Sequence, residues 1–130
     1  MPEQPTIYVT QSDFDRLSAL LEAQSARFEK LEGELARANI VPQDQIPEDV
    51  VTMNSRVTFA NETTNEQREV TLVFPYEASI DEGKISILVP VGTALLGLRV
   101  GQSIEWEVPS GEKHRYRVIA VSYQPENARA

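Results

Sequence analysis

The chain has 130 residues, enough for one domain or for a small domain with a helical appendage. It contains no cysteine, which excludes disulfides, thiolate catalysis and cysteine-ligated metals. The balance of 20 acids against 12 bases leaves a net charge of −8, so the broad basic face that neutralises nucleic-acid phosphates is missing and sequence-specific nucleic-acid binding is not expected.

The first residues carry no basic, apolar leader, and a cytoplasmic location is expected. The longest uncharged run, residues 85–98, is 14 residues long and holds Pro90 and Gly92. A bilayer-spanning helix needs ~20 apolar residues, so no membrane span is expected.

Apolar residues recur at helical spacing up to residue 41. Phe14, Leu17 and Leu21 form one stripe, and Phe28, Leu31, Leu35 and Ala38 form the next. Ser12, with Asp15 three residues on, reads as a capping box opening the first helix. The stripe continues through Gln24 without a phase break, and no Gly or Pro marks a turn. The pattern therefore permits one continuous helix, which would need a partner copy, or two helices turning at residues 23–26 with Ser25 as a cap. Residues 1–41 are read as an N-terminal helical, coiled-coil-like segment. Residues 42–48, with Pro42 and Pro47, are read as a linker, and residues 49–130 as a C-terminal domain.

In that domain the pattern turns strand-like. Candidate strands cover residues 50–60, 69–74, 85–89, 103–108 and 115–123. Asp81-Glu82-Gly83-Lys84 and Pro109-Ser110-Gly111-Glu112 read as hairpin turns, and Thr93 to Leu96 as a short helix. Strand alternation and apolar runs assign the core to Val57, Phe59, Leu72, Phe74, Ile87, Ile104, Trp106, Val118 and Val121.

One stretch is specific enough to carry a resemblance. Pro90-Val91-Gly92-Thr93-Ala94-Leu95-Leu96-Gly97-Leu98-Arg99-Val100-Gly101 follows the strand Ile85-Ser86-Ile87-Leu88-Val89 and precedes Ser103-Ile104-Glu105-Trp106. This order resembles the C-terminal domain of the bacterial Gre-type transcription elongation factors. Asp49-Val50-Val51-Thr52-Met53-Asn54-Ser55-Arg56-Val57 and Ser122-Tyr123-Gln124-Pro125-Glu126 resemble the short Rnk-type relatives of those factors. The resemblance implies an α+β fold: a short N-terminal antiparallel helical hairpin, then an FKBP-like antiparallel sheet domain with one short helix. It also implies a partner, RNA polymerase. Gre factors pass a long hairpin through the polymerase secondary channel, where acids at the tip help hold a metal ion for transcript cleavage. A loop of their C-terminal domain contacts the channel rim.

The corresponding loop here is the expected partner-binding site: Pro90, Val91, Gly92, Leu95 and Leu96, with one leucine facing the core and one side of the loop facing out. Glu22 and Glu29 are the candidate tip acids, with Glu32 and Glu34 equally available on the second helix. The Gre acid pair has no counterpart in Ala23-Gln24-Ser25-Ala26, and a helix of ~12 residues rises only ~18 Å. The expectation is a non-catalytic, monomeric factor that binds polymerase at the secondary channel and competes with Gre-type factors, with no cofactor and no metal of its own. The alternatives are transcript cleavage, prolyl isomerisation in a pocket lined by Trp106, and an indirect effect on nucleoside diphosphate kinase levels. No Gly-rich phosphate loop supports direct nucleotide chemistry. His114 is read as a strand residue after a turn, and Lys113-His114-Arg115-Tyr116-Arg117 as a solvated strand face.

Overall fold

The computed structural model describes residues 5–24, 27–107 and 110–127. The chain opens with a strand, β1 (Tyr8–Thr10), which leads directly into helix α1 (Gln11–Ala23). The helix is capped by Thr10, whose Oγ1 accepts the Asp13 N–H at 3.0 Å. This replaces the expected Ser12–Asp15 box: the strand already holds Thr10 in extended backbone, so the cap falls there and Ser12 lies exposed inside the helix.

The continuous helix does not form. Gln24 turns extended at φ −84° and ψ 137°, and α2 (Glu29–Arg37) begins after the break. The expected cap at Ser25 lies outside the described residues. The stripe is buried as its spacing requires: Leu17, Leu31 and Leu35 are core, and Phe14, Leu21, Phe28 and Ala38 pack against them. A second short strand, β2 (Asn39–Val41), pairs parallel with β1, Tyr8 opposite Asn39 and Thr10 opposite Val41. These two strands were not expected; three-residue pairs are too short to show alternation.

The main sheet holds β3 (Arg56–Asn61), β4 (Glu66–Val73), β5 (Lys84–Ser86), β6 (Ser103–Glu107) and β7 (Lys113–Tyr123), in the order β5-β4-β3-β7-β6. Helix α3 (Pro90–Leu95) connects β5 towards β6. The expected first strand at 50–60 is shortened because Asn54 adopts φ 66°, a left-handed turn that gives its N–H to Leu72 O. The sheet is mixed rather than antiparallel: β4 and β5 run parallel, Thr71 opposite Lys84. Residues 81–84 are therefore not a hairpin turn. They close a crossover of short 3-10 turns, which a parallel pair requires, and Ser79 bridges back to Lys84. The expected β6–β7 hairpin does form, with Glu107 opposite Lys113 and Gly111 at φ 91°; Pro109 lies outside the described residues.

Eight of the nine expected core residues are buried, and Val121 is half-buried against them. The core is one cluster that also takes in Ile7, Val9, Leu17, Leu31 and Leu35 from the N-terminal segment. Two backbone contacts explain this. Tyr8 N–H donates to Gly97 O at 3.1 Å, and Gly97 N–H donates to Val51 O at 2.8 Å. Gly97 sits at φ 81°, and an added Cβ would lie 2.7 Å from the Ile7 Cβ. Only glycine meets both conditions.

A buried carboxylate closes the same seam. Asp13, 5% exposed, accepts the Met53 N–H on Oδ2 at 3.0 Å. Burial pushes its carboxyl from 3.8 up to about 6; the Met53 bond opposes the rise, the nearby Glu126 adds to it, and Arg16 and the Thr10 bond oppose it. Glu126 is itself held by Thr52 Oγ1 at 2.7 Å. The folded chain holds this proton more tightly than the unfolded chain does. The ionised form thus costs the fold stability above pH ~6, and the cost disappears as pH falls towards 4. The displacement corresponds to on the order of 3 kcal/mol at most. Denaturant unfolding at pH 7.5 and 5 should show the wild-type chain gaining stability at the lower pH relative to Asp13→Asn. A difference between the two proteins that does not change with pH would refute this assignment.

Candidate protein-docking surface

Val89, extended at φ −79° and ψ 152°, precedes α3, and Pro90 occupies the first turn, where its missing N–H costs nothing. Pro90-Val91-Gly92 is thus the first turn of the helix, not a separate loop before it. Gly92 lies against the β5 end, where an added Cβ would collide with the Ser86 carbonyl oxygen and crowd Leu72 Cδ1 at 3.1 Å. Thr93 Oγ1 donates to Ile87 O at 2.7 Å. These contacts make a stiff corner whose exposed part is Val89 and Pro90, with Val91 half-buried.

Gly92, Leu95 and Leu96 are buried, both leucines at 1% exposure or less. The expectation that one leucine faces out is corrected. Leu96 leaves helical geometry at φ −54° and ψ 127°, so two consecutive residues both turn into the core. The accessible rim is residues 89–91.

Beside this rim lies a cleft of about 480 Å³ between α2 and the sheet domain. Phe28 and Leu31 line it from the helical side, and Leu88, Pro90 and Trp106 from the other. Trp106 is 5% exposed, as its alternation with Ile104 predicts, and it also forms a wall of the cleft. Its Nε1–H is buried without a hydrogen-bond partner among the described residues. The Lys30 ammonium sits 5.0 Å from the indole centroid and donates to Glu107 O at 2.9 Å. Sequence reasoning found Trp106 but missed Lys30 and Leu88. Neither belongs to a recognisable pattern; the break before α2 brings Lys30 over the ring.

The candidate acids behave differently from one another. Glu22 and Glu29 are exposed. Glu32 is tied to Arg27 at 2.5 Å, and that hydrogen bond holds its carboxyl below the usual range. Glu34 is buried in a two-point pairing with Arg37, at 3.1 and 2.9 Å, so it is not available as expected. Among the described residues no group of three or more His, Asp or Glu is placed to hold a metal ion. His114 Nδ1 meets Asn61 Nδ2 at 2.9 Å on β7. Arg115 and Arg117 face Glu62 at 3.4 and 4.0 Å and Lys113 is exposed, so the basic run lies on a solvated strand face partly paired with Glu62. No described helix is long and apolar enough to cross a membrane.

The geometry is that of a stiff apolar rim beside a cleft, and comparison with known proteins places the chain in a family. Residues 46–123 match the family described as transcription elongation factor, GreA/GreB, C-term, and residues 5–41 match Rnk N-terminus. The chain belongs to the GreA/GreB family and, within it, to the Rnk-type group. It is 43% identical to the regulator of nucleoside diphosphate kinase of Escherichia coli K12, over 96% of this chain and 95% of that protein. It is 43% identical to the elongation factor GreA of Prosthecochloris aestuarii over 70% of this chain, but spans only 58% of that longer protein. A solved elongation factor GreA/GreB from Nitrosomonas europaea superposes with a TM-score of 0.73 at 46% identity, covering 92% of this chain and 100% of that one.

Two substitutions separate core from rim. Trp106→Ala should cost ~3–5 kcal/mol in denaturant unfolding. Val89→Asp with Pro90→Ala should cost less than about 1 kcal/mol, because the aspartate falls at a helix N-cap, where it is favoured. A Trp106→Ala loss under about 1 kcal/mol would make the indole a surface group.

Proposed function

We propose that this protein is a non-catalytic factor that docks on RNA polymerase at the secondary channel and modulates elongation by competing there with Gre-type factors. Family membership supports the partner, and the relatives named as elongation factors support the process. The observation that carries the non-catalytic reading is the shortness of the helical segment. The 13 residues of α1 reach only ~20 Å, and the same core that holds the sheet domain also holds both helices. In this reading the helices form an antiparallel hairpin at the channel entrance, the FKBP-like sheet domain grips the rim through residues 89–91, and the protein acts as a monomer without cofactor or metal. Glu22 and Glu29 serve docking near basic channel walls, a screened surface effect of modest size. Any effect on nucleoside diphosphate kinase follows from altered transcription.

Capture on core polymerase should be weakened at least tenfold by Val89→Asp with Pro90→Ala, with the circular dichroism spectrum unchanged. Unchanged affinity in that folded variant removes the rim from the interface. In a backtracked elongation complex with Mg²⁺, the protein should leave the transcript at the intrinsic cleavage rate and should inhibit cleavage stimulated by a Gre factor. Stimulated cleavage that vanishes in Glu22→Ala, Glu29→Ala would sink the non-catalytic reading.

A further inference from the structure

Trp106 forms a wall of a cleft that the docking rim adjoins, and its buried Nε1–H has no hydrogen-bond partner among the described residues. An indole N–H buried without an acceptor costs stability, and native folds retain few such groups without a use. The cleft, about 480 Å³, falls in the range of pockets that enclose a small ligand, so one large side chain with its flanking peptide groups fits. Its walls select for an apolar group: Phe28, Leu31, Leu88 and the indole face. Its margins select for charge. Glu29 and Glu107 both line it, both are exposed, and neither forms an ion pair with a described residue. Lys30, the one cation among the described lining residues, is already engaged by the ring and by Glu107 O. The whole chain adds its net charge of −8.

We infer that this cleft is a slot for an extended segment of a partner protein, carrying one large apolar side chain flanked by basic residues. The apolar side chain lies between α2 and Leu88, and the flanking bases pair with Glu29 and Glu107. Lys30, a flexible side chain resting on the ring, moves aside as the segment enters. A second cleft shares Lys30, Trp106 and Glu107, so that movement joins the two. The inference rests on the reading of residues 89–91 as a docking rim, since Pro90 belongs to both.

Trp106 is the only tryptophan, so its emission reports on the slot without a label. The full chain is titrated with acetyl-Lys-Ala-Phe-Ala-Arg-amide, with the same peptide carrying Ala for Phe, and with acetyl-Glu-Ala-Phe-Ala-Glu-amide. A saturable change is expected with the first, at least tenfold stronger in affinity than with either other peptide. In Glu29→Lys, Glu107→Lys, which leaves the core untouched, the preference should pass to the acidic peptide. No saturable change, or an equal response to all three peptides, overturns the slot. Polymerase capture on the same preparation separates the two readings. Peptide binding without capture removes the polymerase reading and leaves the slot; capture that the basic peptide neither competes with nor shares emission changes with leaves the polymerase reading and removes the slot.

Discussion

The close approach at Gly97 is the constraint on which the rest of the structure depends. Three backbone segments meet there: β1 through the Tyr8 N–H, the 50–53 segment through Val51 O, and the turn after α3 itself. Leu98 O takes the Val51 N–H at 2.8 Å and completes the crossing. No side chain fits between the segments, and the positive φ adds a second reason for glycine. Once β1 is fixed, Thr10 is placed to cap α1, and the cap sets the phase that turns Leu17 inward and Asp13 towards Met53. A motif that reads locally as the end of a short helix is therefore the dock for the whole N-terminal segment.

Polar contacts both anchor that segment to the sheet domain and brace it internally. At the start, buried Asp13 reaches Met53, across 40 residues of chain, at a desolvation cost that shows in its raised pKa. Within the segment, Arg37 grips Glu34 and also donates to Pro5 O at 2.5 Å, which ties α2 to the start of the chain. The apolar stripe between supplies most of the driving force, because Leu17, Leu31 and Leu35 share the cluster of the sheet domain. The directional Asp13–Met53 contact then fixes where the stripe sits. A helical segment tied in this way moves with the domain, unlike one joined by a free linker.

The sheet strands and the core were legible because each strand alternates over enough residues to show a period: Ile104 and Trp106 in β6, Val57 and Phe59 in β3. Short elements were not. β1 and β2 span three residues each, and the β4–β5 crossover is built from turns whose composition suits a hairpin equally well. The helix break was also beyond pattern reading, since the stripe stays in phase across it and no Gly or Pro marks it. The Pro90 segment was recognised, but its leucines were half misplaced: an irregular helix end sends both inward, and periodicity assumes regular geometry. At the cleft only Trp106 stood out. Lys30 is one of many charged helix residues until the fold sets its ammonium over the indole.

The distribution of rigidity bears on function. The rim owes its stiffness to Pro90, to the tight seat of Gly92 and to the Thr93 hydroxyl bond, so little conformational entropy is lost when a partner covers it. The wall beside it is less complete: a buried N–H lacks an acceptor among the described residues, and a lysine rather than an apolar group covers the ring. A sequence selected for stability alone would fill that space or supply a partner, as it supplies donors for Asp13 and Glu34 and an acceptor for Gln124. The unsatisfied site adjoins the exposed rim, and the satisfied ones lie along the internal seam. The proposed docking role rests on that contrast: a stiff frame already in place beside a cleft that the core does not fill.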